Sequence, residues 1–157
     1  MIYEPINENH LPEIIPMYIE AFNAPPWNDR WIKETATARL RQMMNCEGFM
    51  GLVCYKDKLL SGMILGNVEH YFDCTHFHIK EFCVGLSLRG SGIGAELLSE
   101  FEKRLDACGV DKIYLFTSRT DETEQFYQKR GYSSWDDMVI MGKSLKGKRH
   151  DTYTNQA

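Results

Sequence analysis

The first stretch of the chain repeats its apolar residues at helical spacing. In LPEIIPMYIEAFN, Ile14, Ile15, Tyr18, Ile19 and Phe22 share one face, behind a short strand signal in IYEPI. Pro12 suits a first helical turn, whereas Pro16 lacks an N–H and predicts a delayed or kinked start. APPW ends the helix, because proline disfavours helix at its own position and just before it. A second helix is expected after Asn28, with Ile32, Ala36, Leu40 and Met43 at helical spacing.

The period then changes. GFMGLVCYKDKLLSGMILGNVEHYF reads as two strands around a KDK turn, and THFHIKEFCVG as a third long strand. Strict alternation puts His76, His78, Lys80, Phe82 and Val84 on one face of it, and Ile79, Glu81 and Cys83 on the other. A helix from about Gly92 to Cys108 carries Ile93, Leu97, Leu98, Phe101 and Leu105 in one stripe and stops at Gly109. KIYLFTS has the character of a buried strand. DETEQFYQKR reads as a helix with Asp121 and Glu124 spaced as a capping box and Gly131 as its stop. MVIMGKSL is expected as a last strand. The order β-α-α-β-β-β-α-β-α-β describes a mixed α/β sheet rather than a regular βαβ series. Residues 1–145 are expected to form a single domain, and 146–157 a polar, aperiodic tail that frays.

Composition narrows the partners. The 157 residues are enough for one domain that buries roughly 68–70% of its unfolded surface. A formal charge of −4 speaks against nucleic acid and mildly favours a cationic small molecule. No apolar run approaches the ~20 residues of a membrane span, and MIYEPINENH lacks a signal-peptide layout. Five scattered cysteines without a CxxC pair predict reduced thiols and a cytoplasmic protein.

The segment SLRGSGIGAELL places three glycines in five residues before a helix. A P-loop would need Lys-Ser or Lys-Thr after them, and neither is present. The dinucleotide fingerprint is formally matched by Gly90, Gly92 and Ala95, but three strands come earlier and Asp111 precedes its strand instead of ending it. The third reading is Arg-x-x-Gly-x-Gly, with Arg89, Gly92 and Gly94 between a buried strand and an amphipathic helix. Glycines let successive N–H groups face one anion, and the helix start adds unpaired donors. The competing structural explanation is a tight turn whose glycines only permit positive φ.

Two segments resemble the GNAT superfamily of N-acetyltransferases. IKEFCVGLSLRGSGIGAELLSEFEKRL is similar to its acetyl-CoA motif, and TEQFYQKRGY to its second signature. The resemblance runs from residue 1 to about 145. It implies a mostly antiparallel central sheet flanked by helices, with two splayed parallel strands forming an acetyl-CoA cleft. Backbone groups of Phe82, Cys83 and Val84 would then pair with the pantetheine arm. Arg89, Gly90, Ser91, Gly92, Ile93, Gly94 and Ala95 would hold the pyrophosphate. Tyr127 matches the family's tyrosine acid; a core tyrosine beside Phe126 is the plainer alternative.

Acetyl transfer to an amine also needs a base, an oxyanion donor and an acceptor pocket. Glu81 and His78 are the candidate bases, with Glu69 on the neighbouring strand able to act through water. A β-bulge would change which face each occupies. Cys74, His76 and His78 share a face, but at ~3.3 Å per residue the outer two are too far apart for one ion, so no metal is expected. NAPPWNDRW suggests an aromatic wall of Trp27 and Trp31 with Asp29 receiving a cation, or equally a cap with packing tryptophans. The stretch also resembles aminoglycoside N-acetyltransferase-like members. The family's cofactor-contacting Asn before the last signature helix is replaced by TSRTDE, where Ser118 or Thr120 would substitute. That departure keeps open a non-catalytic CoA-binding sensor or interaction domain. Exposed strand edges and EHYF could support a homodimer, and a lining of the substrate site would read the same way.

Overall fold

The computed structural model describes residues 1–145. These fall into two compact units, Met1–Ser118 and a second that begins at Arg119. The first contains strands β1 (Ile2–Pro5), β2 (Phe49–Lys56), β3 (Leu59–His70), β4 (Thr75–Val84) and β5 (Lys112–Leu115). Its helices are α1 (Leu11–Asn23), α2 (Lys33–Met44) and α3 (Ile93–Ala107). The strands lie in the order β1-β2-β3-β4-β5, antiparallel as far as β4, and β5 runs parallel to β4 after the α3 crossover. The expected mixed, mostly antiparallel sheet is thus the one observed.

The β2–β3 turn has Asp57 and Lys58 at φ 50° and 66°, the left-handed pair that matches the twist of a tight hairpin. Helices cover both faces of the sheet. On one, α1 and α2 pack Ile14, Tyr18, Ala36 and Leu40 with Val53, Met63, Leu65 and Cys83. On the other, α3 sets Phe101 edge-on to Phe77 at 5.3 Å. Burying side chains of this size contributes roughly 1.5–3 kcal/mol each.

Several expectations need correction. Helix α1 starts at Leu11, undelayed by Pro16. Helix α2 begins only at Lys33, with Ile32 as an exposed N-cap rather than a core position, because residues 24–31 are held in a hydrogen-bonded loop. Strand β5 is shorter and only half-buried, and Phe116 just beyond it is exposed. In the second unit, α4 (Asp121–Gln128) is capped by Thr120, whose Oγ1 accepts from Thr123 N–H; the Asp121–Glu124 box is replaced by a cap one residue earlier. Residues 138–145 form no strand, and Met138, Val139, Ile140 and Met141 are exposed. A strand needs a paired edge, and no ladder among the described residues reaches this segment. The expected tail, 146–157, lies outside the described residues.

The most consequential departure is in β4. Adjacent β3 residues Leu65 and Gly66 pair with Glu81 and Ile79, so Lys80 is an extra residue, a β-bulge. Alternation therefore restarts. Phe77 faces α3, while Glu81 and Cys83 turn to the α1/α2 side, where His78 already points.

Candidate active site

Strand β5 pairs with β4 only from His76↔Lys112 to Ile79↔Leu115. From Lys80 to Val84, β4 continues beside β3 without a β5 partner. Phe82, Cys83 and Val84 lie on this extension. The chain then makes one 3-10 turn, Leu86–Leu88, and reaches the glycines.

Gly90 and Gly92 have φ of 76° and 88°, and a Cβ added at either would meet nothing within 4 Å. Both glycines are thus required by backbone conformation, and both face open space. Gly92 is the N-cap of α3. Glu96 N–H closes the first intrahelical bond, to Gly92 O at 3.1 Å, which places the N–H groups of Ile93, Gly94 and Ala95 ahead of it. Glu96 in the first turn is the nearest helix carboxylate. Ser91 spends its hydroxyl on Leu88 O at 2.6 Å, and the Arg89 guanidinium reaches the carbonyls of Ala21 and Pro25.

Beside the parting strands, the bulge brings His78 and Glu81 to one face. His78 is 6% exposed. Its ring stacks on Tyr114 at 4.3 Å, meets Phe116 edge-on at 4.9 Å, and turns Nδ1 toward Glu69 Oε1 at 3.9 Å. Tyr114 in turn donates to Glu69 Oε2 at 2.7 Å. Burial and then the Lys80 ammonium bring the His78 pKa down to about 4 against the pull of Glu69, so the imidazole is neutral at pH 7. Glu81 Oε1 accepts from Arg39 Nε at 3.1 Å and pairs with Arg39 Nη2 at 3.1 Å, and the Tyr18 hydroxyl lies close enough to favour its charged form. Burial raises its pKa, and Arg39 and Tyr18 restrain the rise.

The connection between α1 and α2 converges on the same place. Trp31 packs edge-on to Tyr18 at 5.3 Å and donates from Nε1 to Asp29 Oδ2 at 2.9 Å. Trp27 leans on Phe22 at 6.0 Å. Asp29 lies close enough to Glu81 to push its pKa further up. Cys74 Sγ touches His76 Nε2 at 3.2 Å, and the Tyr71 ring lies tilted against His76 at 4.3 Å. Among the described residues, no three His, Cys, Asp or Glu side chains are grouped to hold a metal ion.

Tyr127 lies in the second unit. It is half-buried, edge-on to Phe126 at 5.1 Å and to Tyr132 at 5.5 Å, and burial raises its phenol. Thr120 is engaged as the α4 cap.

Sequence reasoning missed Tyr114, Arg39 and the polar use of Tyr18. Arg39 follows Ala36 by three positions, so its place beside the buried α2 stripe was available as a signal. Tyr18 was visible only as a core residue of its helix. Tyr114 gave no signal, because its role depends on which β4 residue it opposes.

Residues 15–142 match the family described as acetyltransferase (GNAT) domain, and the chain belongs to this acetyltransferase family. A curated relative, acetyltransferase SG1711 of Sodalis glossinidius (strain morsitans), is 26% identical over 134 residues, 85% of this chain and 87% of its own. Two solved structures share the fold at lower identity. The aminoglycoside 6'-N-acetyltransferase AAC(6')-IG of Acinetobacter haemolyticus, in its apo form, has a TM-score of 0.71 and 14% identity over 93% of this chain and all of that one. AAC(6')-Iy, bound to the bisubstrate analogue CoA-S-monomethyl-acetylneamine, has a TM-score of 0.68 and 13% identity, covering 91% and 97%. No helix among the described residues is long and apolar enough to cross a membrane.

Proposed function

We propose that this acetyltransferase moves the acetyl group of acetyl-CoA directly to a primary amine of a small molecule, aminoglycoside-like or another cationic amine, or of a peptide. One observation carries the reading: β4 outruns its parallel neighbour and leads within a few residues to a glycine-lined helix N-terminus. The amides of pantetheine suit the stretch of β4 that runs beyond β5, at Phe82, Cys83 and Val84. The N–H groups between Gly90 and Ala95, with the positive end of the α3 dipole, suit a pyrophosphate.

In this reading neutral His78 takes a proton from the acceptor ammonium, and Glu69, held by Tyr114, offsets the imidazolium charge. The freed nitrogen lone pair attacks the thioester carbon, forming the C–N bond, while a backbone N–H of the 82–84 segment stabilises the oxyanion. The C–S bond then breaks, Tyr127, by family resemblance, protonates the thiolate, and the second proton on the acceptor nitrogen leaves to restore the phenol, so that amide and CoA thiol are the products. Glu81 holds Arg39 and Tyr18 in place and adds negative charge to the acceptor side. Trp27, Trp31 and Asp29 form the acceptor wall. The CoA–acetylneamine complex of AAC(6')-Iy supports an aminoglycoside as the first acceptor to try.

The test is calorimetric titration with acetyl-CoA, with NADH as control, followed by CoA release against a panel of amines. Saturable one-site binding of acetyl-CoA alone is expected. A folded sample that binds neither nucleotide overturns the reading, and binding without any acceptor-dependent CoA release favours the sensor alternative.

A further inference from the structure

Arg89 is tied to the acceptor side of the molecule. Its Nη1 donates to Pro25 O at 2.7 Å and its Nη2 to Ala21 O at 2.6 Å. Ala21 lies in the last turn of α1, where helix carbonyls lack intrahelical donors. The residue four places on, which could supply an N–H, is Pro25, and proline has none. The sequence thus orphans the Ala21 carbonyl, and Arg89 answers it from 68 residues away.

Neighbouring groups of the loop are satisfied from within. Asn28 N–H donates to Ala24 O at 3.1 Å, and Asp29 N–H to Phe22 O at 3.0 Å. The Asn23 amide accepts from Trp31 N–H at 2.7 Å and donates to Trp31 O at 2.9 Å. Residues 24–31 therefore form one hydrogen-bonded loop carrying Trp27, Asp29 and Trp31. Arg89, the residue immediately before Gly90, joins that loop at Pro25 and the end of α1 at Ala21 to the glycine segment.

We propose that Arg89 is a positioning residue for the amine acceptor: a forked strut that ties the 24–31 loop to the glycine loop, so that cofactor at one is felt at the other. This rests on the acetyl-CoA reading above. A guanidinium is planar and bridges two carbonyls at once, whereas a lysine ammonium keeps the charge and loses the fork. Thermodynamic linkage makes the effect reciprocal, so a bound acceptor tightens cofactor binding through the same contact.

Trp27 and Trp31 report on the loop directly, and the third tryptophan, Trp135, is removed with Trp135→Phe. In that background CoA is titrated, with binding followed by heat and the loop by tryptophan emission and acrylamide quenching. The parent is expected to show an emission change that saturates with the heat. In Arg89→Lys and Arg89→Met, saturable CoA binding persists while most of the emission change is lost, because neither side chain can bridge two carbonyls. A Lys variant with the full emission response overturns the proposal. So does a Met variant that loses CoA binding which Lys restores, because Arg89 would then act as a phosphate ligand. A parent that binds CoA with no emission change also overturns it, leaving the acetyl-CoA reading intact. Absence of heat from the folded parent overturns the acetyl-CoA reading and the strut together. If circular dichroism shows Arg89→Met unfolded, Arg89→Lys decides alone.

Discussion

His78 gives up water on folding and gains Lys80 and Arg39 as cationic neighbours, which brings its pKa from 6.5 to about 4. The unfolded chain therefore binds a proton between these values that the folded chain refuses, so stability falls on acidification through that window. The penalty reaches about 3 kcal/mol below pH 4, from ~1.4 kcal/mol per unit. In His78→Gln this component is gone, and urea melts should show the stability of wild type relative to the variant declining from pH 7 to pH 4. A constant difference across the window would contradict the depressed pKa. Turnover of His78→Gln should fall by about a hundredfold or more, the usual scale of a lost general base. Tyr127→Phe should lower turnover with little change in acetyl-CoA affinity. Unchanged rates between pH 6 and 9 would remove Tyr127 from the acid role.

At the scale of elements, the bulge at Lys80 makes the site. It turns Glu81 to the side that His78 occupies and lies just past the last β4–β5 pair, Ile79↔Leu115. Gly66 is what permits it. A Cβ there would sit 1.9 Å from His78 O and 2.9 Å from Phe77 Cε1. The obstacle is backbone and cannot rotate away, so Gly66→Ala must displace β4 at His78. A loss of about 3 kcal/mol in denaturant unfolding is expected, the upper end of overpacking costs, together with reduced turnover. A variant with wild-type stability and activity would show that the strands yield without cost. Nothing in the sequence marks Gly66 for this, since a glycine in a strand indicates a close approach without naming the partner. The helices were more legible: the stripes of α1 and α3 are internal to their own sequences. Strand β5 and residues 138–145 were misjudged because an apolar run does not report whether a sheet edge is there to receive it.

For the whole molecule, a ligand that binds the folded state alone stabilises it by mass action. Acetyl-CoA at about a hundred times its dissociation constant should add roughly 2.7 kcal/mol and raise the thermal midpoint, while NADH at the same concentration should leave it unchanged. Equal shifts from both would indicate general anion binding at the α3 N-terminus. A shift from neither would remove the cofactor assignment. The two compact units, divided at Ser118, also allow a further reading of the melt: one transition shows that they unfold together, two that the ligand's effect belongs to one of them.

The sequence by itself determined the family, the order of elements from β1 to α4 and the glycine loop. These rest on local properties: helical and strand periodicity, the φ that only glycine takes easily, and donors that every helix start exposes. Tertiary structure decided what those segments do for one another. Whether His78 and Glu81 share a face depended on one extra residue in β4, which shifts a period of two and leaves no trace in composition. The partners of Glu69, Glu81 and Arg89 come from Tyr114, Arg39 and the end of α1, all far along the chain. Which orphaned carbonyl meets which cation is set only when the chain has closed on itself, because hydrogen-bond partners are assigned by distance in space and not by spacing in sequence.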